Sequence, residues 1–268
     1  MALNSSATAQ PIANPMSLAG RTIIVTGAAQ GIGNAVAEGI VQLGGNVVLV
    51  DLNAVGLKAA SDAMPEGRSS VEVGGVSDAN FINQVVENAI AKFGAIHGLV
   101  NSAGIIRPAV IHKMTIEQWN QVIDVHLTGS FLFAQAVSAD MIARAKGGEA
   151  NAGSIVNVSS DAGVQGTIGQ INYATAKAGI LGATMSMARE WAQFGVRANS
   201  VSFGMVETPM TETIRGDKFR DMYLAKIPMK RWASTEEAAT PICFLLSNAA
   251  SYITGQRISV NGGNQMNP

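Results

Sequence analysis

Short apolar runs rich in β-branched residues recur along this chain, each followed by a stretch of helical periodicity. That alternation limits the fold more than any other feature. Arg21–Thr26 (RTIIVT), Asn46–Val50 (NVVLV), Ser70–Val73, Ile96–Asn101 (IHGLVN), Ser154–Ser159 (SIVNVS), Val196–Ser202 (VRANSVS) and Arg257–Val260 read as strands. Helical patterns run from the Gly27–Gly33 loop to about Leu43, and over Ala54–Ala63, Asp78–Phe93, Thr115–Ala145, Tyr173–Gln193 and Thr235–Ser247. Glu207–Lys226 is polar and loop-like, with room for short helices. Strands that alternate with helices are joined by right-handed crossovers and pair in parallel. A composition of 29 Gly and 14% charged residues suits a parallel sheet buried on both faces. The expected fold is α/β, a single doubly wound parallel sheet of about seven strands with helices on both faces.

Composition also removes function classes. A net charge of −1 gives no bulk attraction to nucleic acid or to an anionic membrane. The lone cysteine, Cys243, excludes an internal disulfide framework and fits a reducing compartment. One cysteine and three scattered histidines are too few for a zinc site, so no metal is expected. No apolar run of membrane-spanning length stands out, and residues 1–17 read as a disordered tail rather than a signal peptide. A cytoplasmic protein is expected, with residues 18–268 as one domain.

Two stretches carry chemistry. In GAAQGIG, Gly27, Gly31 and Gly33 follow a strand and open a helix. Glycines there let backbone approach a pyrophosphate, and the helix-start N–H groups bind its charge. Asp51 ends the second strand eighteen residues after Gly33, where a carboxylate accepts from both ribose hydroxyls of an adenosine and repels a 2′-phosphate. No Arg or Lys stands in the loop or directly after Asp51, so NAD(H) is expected over NADP(H). The second stretch is SIVNVSSDAGVQGTIGQINYATAK, Ser154–Lys177. Tyr173 and Lys177 are four residues apart and share a helix face, with Ser160 at the end of the preceding strand. A hydroxyl, a phenol and an ammonium so placed can move protons, the cation lowering the phenol's pKa.

T26-G-A-A-Q-G-I-G33, N101-S-A-G104, Ser160 and Y173-A-T-A-K177, in this order and at these intervals, resemble the short-chain dehydrogenase/reductase family, from about Leu18 to Gly263. The resemblance implies a Rossmann-like domain with a nicotinamide dinucleotide across the sheet's carboxyl edge. It makes Tyr173 the general acid/base, Ser160 the residue that polarises the substrate oxygen, and Lys177 the residue that binds the nicotinamide ribose. Cofactor contacts are implied at Gly27, Gln30, Gly31, Ile32, Gly33, Asp51, Leu52, Val76, Asn101, Ala103, Gly104, Tyr173, Lys177, Gly204, Val206 and Thr208.

Three departures from the family pattern stand out. His126, in V125-H-L-T-G129, replaces an Asn that helps hold a water chain from the Lys. Either its imidazole serves the same catalytic relay, or the backbone does the work and His126 is a tolerated swap. Phe203 replaces the Pro of a P-G turn, and Gly75 stands where an Asp often precedes Val76.

The leading reading is hydride transfer between NAD(H) and a small-molecule ketone or secondary alcohol under an apolar lid at about 205–232. The alternative is a 3-oxoacyl-[acyl-carrier-protein] reductase using NADP(H). For that class the usual basic docking patch looks thin: Phe194 and Asn151 stand at its positions, with Arg144 and Lys146 as possible substitutes. A hydrolase built on Ser160, His126 and Asp161, and a non-catalytic dinucleotide sensor, are the rivals from other classes. The resemblance further implies a homotetramer built on the helices at Thr115–Ala145 and Tyr173–Gln193.

Overall fold

The computed structural model describes residues 14–266. Seven parallel strands, β1 (Thr22–Thr26), β2 (Asn46–Asp51), β3 (Ser69–Val73), β4 (Gly98–Asn101), β5 (Gly153–Ser160), β6 (Val196–Phe203) and β7 (Arg257–Val260), form one sheet in the order β3-β2-β1-β4-β5-β6-β7. The connecting helices are α1 (Gly31–Gln42), α2 (Ala54–Asp62), α3 (Ala79–Phe93), α4 (Ile116–Ile123), α5 (Gly129–Lys146), α6 (Ala162–Gln165), α7 (Ile171–Trp191), α8 (Glu212–Arg215), α9 (Asp217–Lys226) and α10 (Thr235–Leu246). This is the expected doubly wound α/β architecture.

The chain leaves β1 towards β2 and β3, then returns to place β4 on the other side of β1. Thr26 lies level with both Val50 and Asn101, so the carboxyl ends of these strands share one edge. A crevice opens outside that edge where the winding direction reverses, which is where ligands of such folds bind.

Strand residues alternate between two cores. Ile23, Val25, Val47 and Leu49 pack under α1 and α10, while Ile24, Val48 and Val50 pack under α3 and α5. Fully buried apolar side chains on both faces explain why the strands read as continuous hydrophobic runs.

The expected single helix over Thr115–Ala145 is interrupted. Asp124–Thr128 forms a wide π-type turn between α4 and α5. Its neighbours supply the reason: Ser130 Oγ donates to His126 O at 2.7 Å, His126 bonds sideways to Ile105, and a Cβ on Gly129 would lie 2.8 Å from Val76 O. Such widened turns often mark functional sites. Ile116–Lys146 together is long and apolar enough to span a bilayer by length and composition, against the expectation of no such run. Phe133, Val137 and Met141 of this stretch are buried against the sheet.

Glu207–Lys226, expected as loop-like with room for short helices, contains the short helices α8 and α9. Of the expected tail, residues 1–13 lie outside the described residues. Pro15 O accepts from Ala249 N at 3.0 Å, and Met16 Sδ accepts from Ser247 Oγ at 3.6 Å.

Candidate active site

At the crevice, Thr26 Oγ1 accepts from both Ser102 N and Ala103 N at 3.1 Å, joining the end of β1 to the loop after β4. Gly27 (φ +69) lies so close to that loop that a Cβ would sit 2.8 Å from Ala103 Cα, and a Cβ on Gly33 would strike Gly27 O. The helix start therefore presses directly on the strand end. Side chains cap α2 (Asn53), α3 (Asp78), α4 (Thr115) and α10 (Ser234), but Gln30 gives α1 no side-chain cap. The first N–H groups of α1 thus face the crevice without a side-chain acceptor. A bare cradle and a positive helix end fit a dinucleotide's pyrophosphate.

The crevice encloses about 430 Å³. Gly27, Gln30, Gly31, Ile32, Gly33, Asp51, Leu52, Val76, Ala103, Gly104, His126, Ser160, Tyr173, Lys177, Gly204, Val206 and Thr208 all line it. Asn101 does not. Its buried amide donates to Asn157 Oδ1 at 2.8 Å and to Ser130 O at 3.2 Å, so it braces β4 against β5 and α5 from beneath. Ser102, Ile105, Val125, Ser159, Phe203, Pro209, Met210 and Thr211 line the crevice without having been singled out as contacts. Most of them stand next to an expected contact, so the signal was position at a strand end rather than residue type.

Ser160 ends β5 and hydrogen bonds through its side chain to Tyr173, which lies in the first turn of α7. Lys177, one turn on, donates through Nζ to Val158 O at 2.6 Å and lies 5.6 Å from the Tyr173 ring centre. Burial pushes the Tyr173 phenol up, opposed by the Ser160 hydrogen bond, and pushes Lys177 down to about 7. Burial thus leaves the phenol above its ordinary value, against the expected lowering.

The hydrolase arrangement is not formed. The Asp161 carboxylate accepts from Asn261 Nδ2 and Asn264 Nδ2, each at 2.9 Å, while His126 Nε2 meets the Ile105 backbone. Arg144 is no docking cation either. Its guanidinium pairs with Asp140 at 2.9 Å and Glu149 at 2.5 Å and donates to Ala152 O at 2.7 Å and to Ile96 O. Lys146 lies over the Phe194 ring at 5.9 Å.

A family model described as enoyl-(acyl carrier protein) reductase matches residues 27–265. Among curated relatives, a 3-oxoacyl-[acyl-carrier-protein] reductase of Thermotoga maritima is 41% identical over 92% of this chain and 99% of its own length. That of Escherichia coli is 37% identical over 94% and 100%. Among solved structures, a short-chain dehydrogenase/reductase of Brucella melitensis, termed a glucose/ribitol dehydrogenase, superposes with a TM-score of 0.88 at 33% identity, covering 94% of this chain and 99% of its own.

These relatives overturn the expected preference for NAD(H). They belong to the alternative enzyme class, the one coupled above to NADP(H). The structure supplies a physical reason why Asp51 misled. Its carboxylate accepts from Ala29 N at 3.2 Å and Asn53 N at 3.0 Å, so it has a structural use in tying the glycine loop to β2. Matched from the glycine loop to the residues beyond β7, the chain belongs to the short-chain dehydrogenase/reductase family and is an NAD(P)-dependent oxidoreductase acting on CH–OH groups.

Proposed function

We propose that this enzyme reduces the 3-oxo group of an acyl thioester with NADP(H). The observation that carries this reading is the identity of 41% with a 3-oxoacyl-[acyl-carrier-protein] reductase over 92% of the chain. The hydroxyl, phenol and ammonium gathered in one crevice agree with it. Gly27, Gln30, Gly31, Ile32 and Gly33 would hold the pyrophosphate; Asp51, Leu52 and Val76 would flank the adenosine; Ala103, Gly104, Gly204, Val206 and Thr208 would flank the nicotinamide half.

A nicotinamide held in this crevice would supply the hydride for the carbonyl carbon. Ser160 donates a hydrogen bond to the ketone oxygen and aligns it with Tyr173. Tyr173 gives its phenolic proton to that oxygen, completing the alcohol, and regains a proton from water. Lys177 would bind the ribose and stabilise the phenolate.

The test is a substrate screen with NADPH. The expected outcome is turnover of 3-oxoacyl thioesters, on coenzyme A or on a carrier protein, well above that of plain cyclic or aryl ketones. Turnover confined to plain ketones supports the second reading, a small-molecule ketone reductase or alcohol dehydrogenase. One observation favours that second reading: Arg144 is fully committed within the chain and presents no free cation for an acidic carrier.

A homotetramer belongs to the same proposal. Phe131 on α5 and Met185 on α7 are about half exposed. Light scattering at micromolar concentration should give four chains, and Phe131→Glu should reduce that number.

A further inference from the structure

His126 is buried in the crevice wall, on the π-type turn that interrupts the α4–α5 stretch. Nε2 lies 2.9 Å from Ile105 N and 2.8 Å from Ile105 O, so either neutral tautomer makes one bond to that residue. A cationic ring would instead add a second buried N–H, at Nδ1, with no acceptor among the described residues. Nδ1 is buried and meets no partner. Leaving such an atom bare costs ~1–3 kcal/mol, a cost that an apolar residue would avoid. The imidazole and the Tyr173 ring meet in a T-shaped contact, with centroids 5.1 Å apart and planes at 86°. Gly104 packs on the imidazole so closely that a Cβ there would strike Cε1. One side chain thus touches the loop after β4, the π-type turn and the phenol on α7.

We propose that His126 is a positioning residue for Tyr173: as an uncharged ring it clamps Ile105 and, by its T-shaped contact, holds the phenol in place and shuts water away from it. The groups set around the phenol are Ser160 from β5, Lys177 from α7 and His126 from the turn. Burial beside the Lys177 ammonium pushes the imidazole down to about 3, so it stays neutral wherever the enzyme works. Since burial is the main cause that raises the Tyr173 phenol, wetting the site must lower it.

The proposal rests on Tyr173 being the acid/base, and the experiment separates the two. kcat, KM and the alkaline limb of the pH profile are compared in wild type, His126→Ala, His126→Phe and Tyr173→Phe. His126→Ala is expected to lower kcat ~10–10²-fold with KM for NADPH nearly unchanged, and to move the alkaline limb to lower pH. His126→Phe keeps an aromatic ring and should hold the limb near its wild-type position, although it loses the Ile105 bonds. If His126→Ala unfolds, His126→Asn takes its place, with the same shift expected in smaller degree. No added limb near the ordinary imidazole pKa should appear in wild type. Turnover lost in Tyr173→Phe together with an unmoved limb and normal kcat in His126→Ala, or in His126→Asn where that stands in, overturns the proposal alone. Turnover retained in Tyr173→Phe overturns the reading of the site and the proposal with it.

Discussion

Lys177 sits beneath the face of Tyr173, its Nζ 5.6 Å from the ring centre, and hangs from β5 by a 2.6 Å hydrogen bond to Val158 O. Burial lowers its pKa from 10.5 to about 7. Between those values the unfolded chain holds a proton that the folded chain has released, so stability rises with pH across the window, by ~1.4 kcal/mol per unit at most. Below about 7 both states are protonated and the burial cost is present in full. Lys177→Met keeps the stem and removes the charge. Leaving Val158 O unpaired offsets part of the gain, by ~1–3 kcal/mol. The variant should therefore be inactive yet more stable than wild type at about pH 6, with the gap closing towards alkaline pH. Denaturant unfolding at several pH values checks this, and a variant less stable than wild type in acid would contradict the burial argument.

Tyr173 and Ser160 should separate kinetically. Tyr173→Phe removes the proton donor and should cut kcat by ~10²–10⁴ with NADPH binding largely kept. Ser160→Ala removes one hydrogen-bond donor to the reacting oxygen and should cut kcat by ~10². Because the Ser160 hydrogen bond lowers the Tyr173 phenol, Ser160→Ala should also move the alkaline limb to higher pH. Steady-state kinetics across pH with a fixed substrate reads both effects, and an unmoved limb in Ser160→Ala would deny the hydrogen bond its role.

The glycines of the crevice are not equivalent. Gly33→Ala drives a Cβ into Gly27 O, a backbone atom that cannot turn aside, and should cost ~1–3 kcal/mol. Gly75→Ala meets nothing nearer than Leu52 Cδ2 at 4.0 Å and should leave the melting temperature unchanged. Thermal unfolding of the two variants side by side decides the matter, and equal losses would refute the packing account.

How much of this was legible beforehand follows from which interactions are local. The inner strands could be read because burial on both faces makes them continuously apolar, whereas the edge strands β3 and β7 are partly exposed. Asp78, read from the sequence as a helix start, caps α3. Tyr173 and Lys177 met because a helix brings every fourth residue together. The π-type turn could not be read. It depends on Gly129 lying against Val76 and on His126 reaching Ile105, contacts between segments far apart in the chain. Asn101 was implied as a cofactor contact by the resemblance of N101-S-A-G104, but its side chain braces β4 against β5 and α5 instead. Asp51 stood where a ribose-binding carboxylate belongs, and nothing in the sequence revealed its bonds to Ala29 and Asn53. The polar stretch holding α8 and α9 showed no apolar periodicity to betray two helices.

Asp161 ties the catalytic strand to the end of the chain. Its carboxylate is buried and accepts from Asn261 Nδ2 and Asn264 Nδ2, both at 2.9 Å, while its N–H donates to Phe203 O at 2.9 Å. The segment after β7 is thereby fixed beside Ser160, and a Cβ on Gly204 would lie 2.8 Å from Asn261 Cβ, so the two segments pack without slack. Asp161→Ala removes the acceptor of two part-buried amides, of which Asn261 Nδ2 keeps Gln265 O at 2.7 Å, and should cost ~1 kcal/mol. Asn261→Ala removes one of those donors, so its cost should shrink once Asp161 is gone. A double-mutant cycle should give a coupling of ~0.5–3 kcal/mol between the two positions, and Asp161→Ala should lower kcat because Ser160 is its chain neighbour. Losses that simply add, with kcat intact, would mean that the C-terminal segment rests on the site without holding it.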